Sequence, residues 1–217
     1  MALVEVREVS KTFGKRKVID SISFDVDKKS ILLIEGPSGS GKSTLLHIIA
    51  GIDSPDSGTV LIDGKDIFAL TEDKRAKFRL KKIGIIFQNF NLIEDLNVME
   101  NIALPLKLAG KRWKDRVEEL LKYLNIEHLK YEMPNSLSGG EMQRCAIARA
   151  LANEPEIIIA DEPTSNLDDE NTNNISSLFK KINSELGTTM IIATHDPRII
   201  NMGTNVLHLH KEAFNEG

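Results

Sequence analysis

The chain has 217 residues, 41% of them hydrophobic and 28% charged, a balance that excludes wholesale disorder and suffices for one α/β domain with a sizeable core. Its 32 acidic against 28 basic side chains give a formal net charge of -4, so a nucleic-acid partner is not expected. The single cysteine, Cys145, excludes an intrachain disulfide and a multi-cysteine zinc site.

Taken in chain order, Leu3 to Val9, Ile19 to Val26 and Thr59 to Ile62 read as half-exposed strands, with Asp63-Gly64 as a turn, and predict an antiparallel β layer. Short Ile/Val-rich runs at Ile31 to Ile34, Ile83 to Phe87, Ile157 to Ala160 and Met190 to Ala193 alternate with longer helical patterns and predict a largely parallel buried sheet. Between Gln88 and Ser138 the pattern is helical, with Val117, Leu120, Leu121 and Leu124 at helical spacing in Trp113 to Leu124. Asn89, Asn91 and Pro105 mark one edge of this stretch and Pro134-Asn135-Ser136 the other. The division expected is a single domain over 1–217, with a catalytic core of 1–88 and 137–217 and a helical subdomain of 89–136.

No apolar run approaches the roughly 18 residues that cross a bilayer. The start Met1-Ala2-Leu3-Val4-Glu5 lacks a basic region followed by an apolar segment. The chain is therefore expected in the cytoplasm, held at a membrane only through other subunits.

Gly36-Pro37-Ser38-Gly39-Ser40-Gly41-Lys42-Ser43 matches the phosphate-loop spacing, after the strand Ile31 to Ile34 and before the helical run Thr44 to Ala50. Glycines let successive N–H groups point at phosphates, and the helix adds the positive end of its dipole. Lys42 is expected to reach the β- and γ-phosphates, and the Ser43 hydroxyl to ligate magnesium. The fold class expected is thus α/β, a P-loop NTPase parallel-sheet core with an N-terminal antiparallel β layer and a helical subdomain; the ligands expected are ATP and Mg2+, in a loop that kinases, GTPases and motor ATPases share.

Ile157 to Ala160 ends in Asp161-Glu162, where an α/β sheet presents catalytic groups. Asp161 is expected to hold magnesium and Glu162 to polarise or deprotonate the attacking water. Leu137-Ser138-Gly139-Gly140-Glu141 precedes the helical run Glu141 to Ala152, and hydroxyl and glycine N–H groups at a helix start form a second anion site. Ser-Gly-Gly there also fits a plain helix cap.

With these motifs in order along nearly the whole chain, the sequence resembles the ABC ATPase family. The resemblance implies an ATPase and a head-to-tail homodimer, in which Ser138, Gly139, Gly140 and Glu141 of one subunit meet the nucleotide on the other's loop of Gly36 to Thr44. It further implies that Gln88 senses magnesium and the attacking water, that His195 in Ala193-Thr194-His195-Asp196 contacts the γ-phosphate, and that Phe13 stacks on adenine. Asp168 in Ser165-Asn166-Leu167-Asp168 would cross the dimer interface, and it equally fits an N-cap of the following helix. The chain departs from the family at Asn166, where small Ala or Gly is common, at Lys28-Lys29-Ser30 and at Met142.

Phe87 to Pro105 resembles the subgroup of lipoprotein-releasing, macrolide and antimicrobial-peptide exporters and FtsE-like cell-division ATPases. This implies an integral-membrane permease-type partner, received in a groove lined by Phe90, Leu92, Ile93, Leu96 and Val98, residues that also fit a helical core. An FtsE-like regulatory ATPase with a non-transporting partner is the alternative. DNA-repair relatives insert a long coiled coil between the positions of Gln88 and Ser138, and the roughly 50 residues here leave no room for one.

Overall fold

The chain opens with two long antiparallel strands, β1 (Ala2–Phe13) and β2 (Arg16–Asp27), paired from Ala2 with Asp27 to Phe13 with Arg16. Residues 2–200, 202 and 205–210 are described by the computed structural model; Met1, Asn201, Gly203, Thr204 and residues 211–217 of the expected domain lie outside them. β4 (Ser57–Ile62) pairs with the other edge of β1, and β5 (Lys65–Asp66) returns beside β4 through Asp63-Gly64, both at positive φ as a tight hairpin requires. The antiparallel order is β2-β1-β4-β5.

A second, parallel sheet has the order β6 (Ile83–Ile86), β7 (Ile157–Asp161), β8 (Thr189–Ala193), β3 (Ile31–Glu35) and β9 (Asn205–His208). Its inner strands β7, β8 and β3 are apolar on both faces because both faces are covered, whereas the edge strand β9 is largely exposed. Leu32 and Ile34 of β3, with Ile157 and Ile159 of β7, join a core shared with α1 (Lys42–Ile49) and the antiparallel layer residues Val4, Val6, Val60 and Ile62. Ile31, Leu33, Ile158 and Ala160 alternate to the opposite face.

That opposite face is covered by α3 (Val98–Leu108), α4 (Lys114–Tyr123), α5 (Gly139–Leu151) and α6 (Asp169–Leu186). Val98, Ile102, Leu106, Val117 and Leu121 share one core with Ile86 and Ile158 of the sheet, so the helical stretch is anchored on the sheet rather than separately cored. Asn97 and Glu100 form a capping box at the start of α3, and Gly187 at φ 64 ends α6 in the left-handed conformation. Pro105, expected at an edge of the helical stretch, lies inside α3. Burial of Ile102, Ala103 and Leu106 around it outweighs the local cost of the missing N–H.

Two further helices are α2 (Glu72–Lys82), which buries no residue fully, and the short α7 (Pro197–Ile200). Cys145 is fully buried in α5, and burial pushes its thiol up to about 12. Among the described residues no helix is long and apolar enough to cross a membrane.

Candidate functional site

Because β6, β7, β8 and β3 are parallel and adjacent, the loops leaving their carboxyl ends converge. They form a cleft of about 590 Å³ lined by Gly36, Pro37, Ser38, Gly39, Gly41, Lys42, Ser43, Thr44, Gln88, Glu162 and His195. Residues read from four separate motifs are thereby brought into one site.

The loop from β3 to α1 is shaped by Gly41, which sits at φ 96 as the N-cap of α1 and makes no side-chain cap. A Cβ there would come within 2.7 Å of the Ile19 side chain and 2.8 Å of the Val18 carbonyl, so only glycine fits. Without a capping side chain and without an acidic residue in its first turn, α1 keeps its N-terminal N–H groups and dipole for an anion.

Lys42 is largely buried and donates from Nζ to the Gly36 carbonyl at 2.8 Å and the Pro37 carbonyl at 3.3 Å. Its Nζ lies 3.4 Å from the Glu162 carboxylate, which in turn lies 3.0 Å from His195 Nδ1. The Glu162 side chain is 12% exposed and the His195 side chain 71%, so the imidazole forms the solvent-side wall. Glu162 itself stands at φ 45, a strained position for a non-glycine residue, with its N–H donating to the Ala193 carbonyl at 2.8 Å. Cation, carboxylate and imidazole thus form one chain across the cleft floor.

Asp161 sits beneath, at the end of β7. Burial raises its carboxyl above the usual carboxylate range, opposed by a hydrogen bond from Ser43 and by the nearby cations. Its Oδ1 is buried without a hydrogen-bond partner. An orphaned carboxylate oxygen beside a serine hydroxyl fits a hard divalent cation that completes its shell with phosphate and water.

The second anion element is separate. Ser138 is the N-cap of α5, and its hydroxyl and N–H donate to Glu141 Oε2 at 2.6 and 2.7 Å, while the Glu141 N–H returns to Ser138 Oγ at 3.4 Å. This is a complete capping box. The Ser138 hydroxyl, then its amide, hold the Glu141 carboxyl below its ordinary range. None of Ser138, Gly139, Gly140 and Glu141 lines the cleft of their own chain.

Asp168 caps α6, its Oδ1 accepting from the Asn171 N–H at 2.8 Å and its Oδ2 from the Asn171 amide at 2.9 Å. Phe13 ends β1 with its side chain 52% exposed, ruling out a core role, and the Lys11 ammonium lies 5.5 Å from its ring. It is not among the residues lining the cleft.

Arg16 and Val18 also line the cleft, and Arg16 Nη2 donates to the Gly39 carbonyl at 2.8 Å. Sequence reasoning missed both, because a single cation at a strand start carries no spacing signal. Of the five residues that fit either a groove or a helical core, Phe90 and Val98 are buried, Leu92 and Leu96 half-buried and Ile93 exposed. A separate open groove of about 450 Å³ is lined by Lys77, Leu80, Ile83, Ile85, Leu108 and Arg149 among others.

Comparison with known proteins follows the same lines. A family model described as ABC transporter matches residues 19–165. The lipoprotein-releasing system ATP-binding protein LolD of Buchnera aphidicola subsp. Acyrthosiphon pisum is 45% identical over 186 residues, covering 84% of this chain and 82% of that protein. The macrolide export ATP-binding/permease protein MacB of Syntrophobacter fumaroxidans is 39% identical over 96% of this chain, which spans 30% of that longer protein. The dimeric structure of a post-hydrolysis state of the ATP-binding cassette MJ0796 bound to ADP and Pi superposes with a TM-score of 0.88 at 38% identity, covering 97% of each chain. The phosphate loop, the carboxylates at the end of β7 and these likenesses agree: the chain belongs to the ABC transporter family and is an ATP-binding ATPase of that family.

Proposed function

We propose that two copies of this chain close head to tail around two ATP molecules, driving a membrane permease partner of the lipoprotein-release, macrolide or peptide export type from its cytoplasmic face. The observation that carries this reading is the separation of two anion-binding helix starts. α1 opens onto the cleft, whereas Ser138 at the start of α5 lies outside it. A second subunit brings the partner subunit's Ser138, Gly139, Gly140 and Glu141 to the γ-phosphate.

Within this reading, Gly36 to Thr44 wrap the phosphates through backbone N–H groups, and Lys42 exchanges its carbonyl contacts for phosphate oxygens. Phe13 stacks on adenine from the exposed β1–β2 turn. Ser43, Asp161 and Gln88 hold Mg2+, which when bound offsets charge on the phosphate oxygens. Glu162 accepts a proton from the attacking water, His195 holds the Glu162 carboxylate in place, and Asp168 faces the partner subunit's phosphate loop. Residues 89–136 act as the helical subdomain against the core of 1–88 and 137–217. The groove lined in part by Lys77 and Arg149 receives an amphipathic segment of the membrane partner.

Glu162→Gln tests the reading directly. It is expected to keep ATP binding, lower turnover on the order of 10²–10⁴-fold, and accumulate an ATP-dependent dimer by size-exclusion light scattering. Parental turnover in that variant removes Glu162 as the base.

A further inference from the structure

The parallel ladder between β6 and β7 ends at the pair Ile86 and Ala160. Gln88 and Glu162 both lie two residues beyond it, where no strand hydrogen bond sets their separation. The next tie is a side chain. Asn166 Nδ2 donates to the Gln88 carbonyl at 3.0 Å and to Asn89 Oδ1 at 3.2 Å. The segment it belongs to is itself fixed to the carboxylate end, since the Ser165 N–H and hydroxyl both return to the Glu162 carbonyl.

The same segment leaves no room for a side chain at the start of α5. A Cβ on Gly139 would lie 3.3 Å from the Asn166 carbonyl and 3.3 Å from the Leu167 side chain, and one on Gly140 would lie 2.4 Å from Asn171 Oδ1. Asn171 is in turn bonded to Asp168. An alanine or glycine at position 166 would keep the backbone close to Gly139 and could not make the two amide bonds to Gln88 and Asn89.

We propose that Asn166 is a positioning residue: its carboxamide fixes Gln88 against Glu162 across the cleft, and its backbone carries that setting to the Gly139-Gly140 turn. The state of the nucleotide held by one subunit thereby alters the surface that the same subunit offers to the other nucleotide. The inference rests on the proposed roles of Gln88, Glu162 and the Ser138 segment. Its chemistry is specific, because the required group is a donor and not merely a side chain of that size.

The test uses the purified full chain, with ATP turnover, its Hill coefficient and thermal unfolding read for Asn166→Ala, Asn166→Asp, Asn89→Ala and the double variant Asn166→Ala with Asn89→Ala. Loss of two hydrogen bonds is expected to lower kcat about tenfold in both Asn166 variants, with KM for ATP within about twofold and Tm within about 2 °C of the parent. The Asp variant retains the shape and loses the donors, so it must fail like Ala. The Hill coefficient falls toward one, and the effects of Asn166→Ala and Asn89→Ala are non-additive. The proposal is overturned by kcat within twofold of the parent, by an Asp variant that works, by strict additivity, or by a kcat loss that tracks a lowered Tm. If the parent hydrolyses ATP and Glu162→Gln traps the dimer while the Asn166 variants are silent, this inference falls alone; an inactive parent removes both.

Discussion

The two helix starts proposed to meet phosphate are built in opposite ways. α1 begins behind Gly41, which has no side chain to cap it, so its first N–H groups stand open beside Lys42 and Ser43. α5 begins behind Ser138, whose hydroxyl and N–H are already taken by the Glu141 carboxylate of the same turn. At the first, no side chain occupies the helix start; at the second, the Ser138 hydroxyl and N–H are engaged within the turn, so a phosphate that uses that hydroxyl must displace the Glu141 carboxylate. The difference separates binding from closure. Within the proposed function, a subunit captures nucleotide alone, and the hydroxyl of the partner's Ser138 reaches the γ-phosphate by leaving its own Glu141 carboxylate.

The comparison breaks most severely at Gly41. Gly41→Ala puts a Cβ at a φ of 96 and against Val18 and Ile19, costing roughly 2 kcal/mol or more. We expect at least a tenfold loss of ATP affinity by equilibrium titration, together with a Tm lower by roughly 4 to 8 °C. Retained affinity would show that the open helix start is not what the nucleotide uses.

Ser138→Arg acts on the other helix start. ATP affinity of the single subunit is expected to stay within about twofold, since position 138 is outside the cleft. In the Glu162→Gln background the ATP-dependent dimer should disappear from light scattering. A dimer that persists unchanged places the α5 start away from the interface.

The smallest effect concerns the internal bond itself. The Glu141 carboxyl is held low by the Ser138 hydroxyl and amide, so its stabilisation is present above the unfolded value of about 4.3 and is lost as pH falls through the lower folded value. Glu141→Gln is expected to lower Tm by no more than about 2 °C at pH 7, given its exposure, with the gap from the parent closing below about pH 4. A gap that widens on acidification would mean that the capping carboxylate is not held low.

What was legible in the sequence was the chemistry that residue identity and short spacing encode. Gly36 to Ser43, Asp161-Glu162 and Leu137 to Glu141 each lie within one turn or strand end, where backbone geometry demands particular residues. Buried strands such as Ile157 to Ala160 were legible for the same local reason. Less visible were features made by partners far apart in the chain: Arg16 against Gly39, or Asn166 against Gln88, 78 positions away. α2 left no apolar stripe because it buries no residue fully, and β9 is four residues long. The burial of Phe90 and Val98 was not separable from exposure in the sequence, because an apolar run reads alike whether it lines a surface or is buried.

The buried thiol of Cys145 has a consequence for control of the whole molecule. With its value pushed to about 12, on the order of one thiol in 10⁵ is thiolate at neutral pH, and the group has no open path to peroxide or glutathione. Cys145 is therefore closed to thiol oxidation while the chain is folded, and any oxidative chemistry at sulfur falls to methionines such as the exposed Met133.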